Sequence, residues 1–310
     1  MILRRAYFVA IVCAVLLPAV YLFAVWTSTG QRLEDGVLAA AARTAGRAEP
    51  ANWALDSAES VLAGIAVVAV VLLGLIRRRL FLGVVSAGVV SASILTTELL
   101  KRVALRPVLL ESGQRRDDQS FPSGHTVVAT SVMCALVLVT PHLLRGLVAL
   151  LASVWATSVA VATIAAGWHR PSDTIGSDLI VAIYVSTAIA VLARRGWVNR
   201  TASPAIAGRP RLSGIATVAA GCVAWVAACA VVIYLSGYPT VTAGATQLIA
   251  GRLIASLGTA LVTLIPLALL HRITLDPPPN GMGRPRLTVG CRWPVRRFPG
   301  SRSRYGRRYR

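Results

Sequence analysis

The chain has 310 residues, of which 55% are hydrophobic and 14% charged, with a mean hydropathy of +0.67. Soluble domains carry about 25% charged residues, so an ordinary soluble domain is excluded and a membrane protein is indicated. The net charge of +20 would suit a nucleic-acid binder, but the arginines cluster in short stretches between apolar runs, the mark of cytoplasmic loops. No nucleic-acid partner is therefore expected.

A bilayer-spanning helix needs roughly 20 apolar residues. Eight runs qualify in chain order: 6–26, 58–76, 80–100, 123–140, 145–166, 174–193, 213–235 and 247–270. Backbone groups in lipid must be satisfied within the segment, so these runs are expected to be helices. The ten-residue alternation of a transmembrane barrel is absent. The first run is read as an uncleaved helix, because no A-x-A cleavage site follows it. Residues 27–57 are read as a loop, and Asp178 interrupts the start of the sixth run. The five cysteines show no metal or redox spacing, and four lie inside apolar runs, where cysteine acts as a small hydrophobe. The last forty residues are rich in Pro, Gly and Arg, a composition that cannot build a core. They are expected to form a disordered basic tail lying near anionic lipid headgroups.

Placing Arg4 and Arg5 inside also places Arg77, Arg78, Arg79, Arg145, the 194–211 loop and the tail inside. Both termini are then cytoplasmic. One stretch breaks this pattern: 101–120 is basic yet falls outside, with Lys101, Arg102, Arg106, Arg115 and Arg116. An anionic ligand such as phosphate would account for it.

Three polar clusters interrupt the runs, all on that outer face. The first spans Lys101 to Pro107 and holds the only lysine in the chain. The second is Phe121-Pro122-Ser123-Gly124-His125. Pro122 suits the first turn of a helix. Ser123 and Gly124 would then offer free backbone N–H groups at a helix N-terminus, which binds anions, with His125 beside them as a proton donor. The third is Gly167-Trp168-His169-Arg170-Pro171-Ser172-Asp173. His169 and Asp173 are four apart and can share one side of a helix start. A carboxylate on one ring nitrogen leaves the other as a nucleophile. The chain has four histidines, and the two outer ones fall in these clusters. Cations, backbone donors, an oriented histidine and a second histidine together suit phosphoryl transfer. No carboxylate cage for Mg²⁺ accompanies them, so no metal or other cofactor is expected.

The clusters resemble the three signature motifs of the type 2 phosphatidic acid phosphatase superfamily (PAP2), which includes the vanadium haloperoxidases: K-x6-R-P, P-S-G-H and S-R-x5-H-x3-D. Residues 122–125 match the second motif in full, and His169 and Asp173 match the end of the third. The first motif is two residues short, and the S-R pair of the third falls on Ala162 and Thr163. Arg170 is the candidate to supply the missing guanidinium. The resemblance covers about 58–193 and implies a nucleophilic His169 forming a phosphohistidine, an orienting Asp173 and a proton-donating His125. It also implies phosphate binding by Lys101, Arg106, Ser123 and Gly124.

The expected protein is an all-α polytopic membrane helical bundle. An N-terminal helix and outer loop (1–57) precede a six-helix PAP2-like core (58–193). A basic loop with two extra transmembrane helices (194–271) and the tail (272–310) follow. The expected activity is hydrolysis of a lipid phosphate or polyprenyl diphosphate at the outer face of a cell membrane. A lipid phosphotransferase with the same site, or a catalytically degenerate relative, is the alternative. A transporter would need ionisable residues near mid-membrane, for which Glu98 is the candidate. Arginine-rich, lysine-poor usage suggests a bacterium of high GC content. The expected partners are the lipid substrate and surrounding membrane lipids; sequence leaves the substrate and the oligomeric state open.

Overall fold

The computed structural model describes residues 1–45, 64–110, 120–200 and 243–278. Among these, eight helices follow one another: α1 (Ile2–Trp26), α2 (Ser28–Ala45), α3 (Gly64–Ile76), α4 (Leu80–Val103), α5 (Gly124–Val139), α6 (Arg145–Ala165), α7 (Pro171–Arg194) and α8 (Ala243–Leu269). Five of them (α1, α4, α6, α7 and α8) are long and apolar enough to cross a membrane, while α3 and α5 are shorter apolar helices. This is a multi-pass helical membrane protein. The run at 213–235 and the tail beyond 278 lie outside the described residues.

Burial sorts the helices. α7 is the most enclosed of the five long ones and α1 the least. α7 packs against α1, α4, α5 and α8, so it forms the axis of the bundle. Large apolar side chains remain exposed on the outer faces, among them Phe8, Leu95, Leu151 and Leu257. In water such a girdle would be an association surface; in a bilayer it is the lipid-facing side. Helix contacts inside use small polar residues, as expected where lipid gives helices no hydrophobic reason to associate. Asp178, fully enclosed in α7, accepts a hydrogen bond from Thr130 Oγ1 of α5 at 3.0 Å and from Thr259 Oγ1 of α8 at 3.4 Å. It is an ionisable group inside a span that ties three helices together.

The bundle has two distinct ends. At one, the start of α1 meets the end of α7, with the Arg194 guanidinium 5.1 Å from the Tyr7 ring centre. A short antiparallel ribbon lies there, β1 (Val198–Arg200) on β2 (Ile273–Leu275), pairing Val198 with Leu275 and Arg200 with Ile273. The ribbon holds the ends of α7 and α8 together, so these helices run parallel. It also places 273–276 against the bundle, although composition assigns them to the tail.

At the other end sits the one helix that sequence reading takes for a loop. α2 follows α1 after a break at Thr27 and packs on α1, α6 and α8. Its apolar residues Val37, Leu38, Ala40 and Ala41 recur at helical spacing and are buried. Gln31 ties it to the segment after α4, donating to Pro107 O at 2.6 Å and accepting from Leu109 N at 3.2 Å.

Candidate active site

The site is built on two helix starts that face each other beneath α2. At the start of α5, Ser123 is the N-cap and its Oγ accepts from Thr126 N at 3.3 Å. Pro122 therefore precedes the cap, following a cis peptide bond, and does not occupy the first turn. The Ser123 N–H is not free either, because it donates to Asp173 O at 3.1 Å. Ser177 Oγ donates to both Ser123 O at 2.7 Å and Asp173 O at 3.0 Å, joining α5 to the first turns of α7. The approach requires Gly176. A Cβ there would stand 2.6 Å from the buried Phe121 ring, so any larger residue would push the second motif off α7.

The loop from α6 to α7 is a tight return. Gly167 takes φ +69°, a conformation that suits glycine. The Thr163 carbonyl accepts from Trp168 N at 3.0 Å and from His169 N at 3.3 Å. Thr163 Oγ1 is turned to Ala160 O, so the position where the family has arginine serves the loop's backbone. Arg170 caps α7, Pro171 opens it, and Asp173 sits at the third position. Asp173 Oδ2 accepts the Arg170 N–H at 2.9 Å and lies 3.4 Å from His169 Nδ1. The carboxylate is fully enclosed, whereas the His169 side chain keeps 13% of its surface. With Nδ1 directed at Asp173, Nε2 is left as the outward nitrogen. The His125 ring lies 6.3 Å from the His169 ring between centroids and rests 5.4 Å from the Trp168 ring.

α2 forms the roof and brings two carboxylates that sequence reading does not assign to the site. Glu34 Oε2 accepts from Arg106 Nη2 at 2.9 Å, and its Oε1 accepts the Ser172 N–H at 3.0 Å. Asp35 Oδ1 accepts from Arg170 Nη2 at 3.2 Å, while Arg170 Nη1 reaches Ser120 Oγ at 3.3 Å. Burial, followed by the nearby charge of Asp173, raises the Glu34 carboxyl to about 7; the Ser172 hydrogen bonds and Arg106 pull against that rise.

The structure thus brings His125, His169, Asp173, Ser123, Gly124, Arg106 and Arg170 to one end of the bundle. Lys101 is engaged elsewhere: its ammonium lies 2.9 Å from Glu98 Oε1, one turn back on α4. The residues that sequence reading misses are Glu34, Asp35, Ser120 and Ser172. One signal for the acids is present in the sequence, since 27–57 carries four carboxylates and the stretch 101–120 is basic. Among the described residues, no three His, Cys, Asp or Glu side chains form a group that could hold a metal ion.

Comparison with known proteins bears on this end of the molecule. No curated protein and no solved structure matches the chain. The family model of the PAP2 superfamily matches residues 79–200. That segment contains α4 to α7 and both helix starts of the site, so the similarity to the PAP2 superfamily covers the part of the chain that builds it.

Proposed function

We propose that the protein is an integral membrane lipid phosphatase, hydrolysing a lipid phosphomonoester or a polyprenyl diphosphate through a phosphohistidine. The observation that carries this reading is the order His125, His169, Asp173 across two facing helix starts, with Asp173 on Nδ1 and His125 opposite. His169 Nε2 attacks phosphorus, and the bond from phosphorus to the lipid oxygen breaks. His125 gives its proton to that oxygen. Water then attacks the phosphohistidine, His125 takes a proton from it, and phosphate leaves. Asp173 fixes the tautomer and stabilises the charge gained by the ring. Arg106, Arg170 and the Gly124 N–H serve the phosphate oxygens, since phosphoryl transfer gains most from cations placed around them. Lys101 joins that set only if it leaves Glu98. Residues 58–193 are the catalytic core in this reading, with 194–271 added to it.

The basic end carries Arg4, Arg5, Arg77 to Arg79, Arg145, Arg194 and Arg195, opposite the site. The positive-inside rule places that end in the cytoplasm. The site then opens on the extracytoplasmic side, where a lipid headgroup can enter laterally. A phosphotransferase would use the same phosphohistidine with an alcohol in place of water; product analysis with and without an acceptor lipid separates the two. The deciding experiment is phosphate release by the purified protein from a panel of lipid phosphates. Release is expected to persist in EDTA, to be inhibited by vanadate and to vanish in His169→Ala. Release that requires added Mg²⁺, or that survives in His169→Ala, would end this reading.

A further inference from the structure

Glu34 holds the position of an anion. Its two oxygens take a backbone N–H in the first turn of α7, from Ser172, and a guanidinium N–H from Arg106. Those are the donors that a helix start and an arginine offer to a phosphate. The surrounding atoms fit a larger anion than a carboxylate. Arg106 Nε and Nη1 are buried with no hydrogen-bond partner among the described residues. Glu34 leaves these two guanidinium nitrogens unserved, and a phosphate brings more oxygens to the same place. Asp173 Oδ1 is also unpartnered, an acceptor that a phosphate oxygen would not serve. Glu34 is only 6% exposed, so it is itself enclosed at the anion position. The next residue, Asp35, occupies Arg170 in the same way.

We propose that Glu34 is a built-in competitor for the substrate phosphate, an affinity-setting residue whose carboxylate fills the anion position and is displaced when substrate binds. This rests on the phosphatase reading above. It adds that α2 must yield, carrying Glu34 off Arg106 and Ser172, before phosphate can reach His169. A membrane surface is crowded with phosphate-bearing headgroups. A resident carboxylate keeps weakly bound ones out, because each ligand must first displace it.

Competition of this kind has a thermodynamic signature. A site that is open a fraction f of the time binds every ligand more weakly by the same factor, 1/f. Removing the competitor tightens all anions alike. Removing a mere nearby negative charge would instead favour a dianion over a monoanion, because the Coulomb energy scales with ligand charge. The probes are inorganic phosphate, largely dianionic near pH 8, and dimethyl phosphate, a monoanion. Their binding to the full chain in detergent is measured for the parent protein and for Glu34→Gln, at about pH 8, on the alkaline side of the raised Glu34 carboxyl. Both ligands are expected to tighten by about tenfold or more, and by factors within about twofold of each other. No tightening, or a gain several-fold larger for phosphate than for dimethyl phosphate, overturns the proposal.

A second measurement needs no variant. Hydrogen exchange of the parent protein should speed up at the amides of 30–38 when phosphate saturates the site, because α2 loses its hold on Arg106 and Ser172. Unchanged or slower exchange there overturns the proposal. If neither protein binds either anion, the phosphatase reading itself fails, and this inference falls with it.

Discussion

Arginines serve the two ends of the bundle in different ways. At the basic end, Arg145 donates to Val137 O at 3.2 Å, Leu270 O at 3.3 Å and Ile273 O at 3.0 Å. Arg77 donates to Val139 O, and Arg79 donates to Leu275 O at 2.8 Å and pairs with Asp276. Most of these acceptors are main-chain carbonyls at or just beyond the ends of α5 and α8, where the helix dipole favours a cation. At the site, Arg106 and Arg170 each meet a carboxylate, Glu34 and Asp35, both from α2. A carbonyl is a permanent part of the fold. A carboxylate is an anion, and another anion can take its place. The first set of arginines closes the bundle, and the second set is available for exchange.

The largest effect expected on the site side is chemical. His169→Ala should abolish turnover, since a covalent intermediate needs its nucleophile. His125→Ala should cost roughly 10²–10⁴-fold, the usual value of general acid–base catalysis, and least for substrates with good leaving groups. Equal losses for good and poor leaving groups would remove His125 from the acid role. Asp173→Asn should leave a measurable residue of activity, because it orients the ring and does not react.

Exchanging the arginines' roles breaks the comparison most directly. Arg145→Ala removes a buried donor from three carbonyls. Each unsatisfied group costs about 1–3 kcal/mol, so the purified protein should melt at a clearly lower temperature while KM of the folded fraction holds. Arg106→Ala should do the reverse. Glu34 loses a partner but can take up a proton, so stability should change little while turnover collapses. A loss of turnover in Arg145→Ala at temperatures where it remains folded would erase the distinction.

The Glu34 carboxyl gives the comparison a pH dependence. Its folded pKa, about 7, stands above the ordinary glutamate value of 4.5, chiefly through burial, with Asp173 of α7 raising it further and Arg106, from the segment after α4, opposing. Between those values the folded protein holds a proton that the unfolded chain has lost. Stability therefore falls by roughly 3 kcal/mol as pH rises from about 4.5 to about 7 and is level above that. Melting curves should show this decline in the parent protein and a flatter profile in Glu34→Gln. Parallel profiles would mean that Glu34 stays ionised throughout the range.

What could be read from sequence is what is local. Pro122 to His125 and the His169–Asp173 spacing reveal two helix starts with chemistry on them, because cap, ring and carboxylate lie within five residues. The apolar runs identify the described spans because the bilayer demands length. The roof of the site was not legible. Glu34 meets Arg106 across 72 residues and Ser172 across 138, and no local rule connects them. Six of the first eight residues of α2 are polar or charged, Gly30 and Leu33 being the others, and Gly36 follows, so its low hydropathy reads as loop; its short apolar face appears only once α6 and α8 are there to cover it. The engagement of the Ser123 N–H by Asp173 O was hidden for the same reason.

Lys101 provides the smallest and sharpest test. As the only lysine of the chain, placed one turn before Arg106, it is a candidate for phosphate binding on sequence grounds. In the structure it pairs with Glu98 at i−3 on α4, and that pair is part-exposed, at 28% and 51% for the two side chains. Exposed ion pairs contribute about 0–1 kcal/mol. Lys101→Ala should therefore leave stability almost unchanged. If Lys101 stays with Glu98, turnover should fall by less than about threefold, far less than for Arg106→Ala, which removes a cation already paired with Glu34. Glu98→Gln distinguishes the remaining case. Were Lys101 recruited to phosphate in the bound state, freeing it from Glu98 would tighten substrate binding and lower KM. An unchanged KM in Glu98→Gln, together with a small loss in Lys101→Ala, would leave Arg106 and Arg170 as the cations of the site and place the lysine at the lipid interface, its stem on apolar surface and its charge in the headgroups.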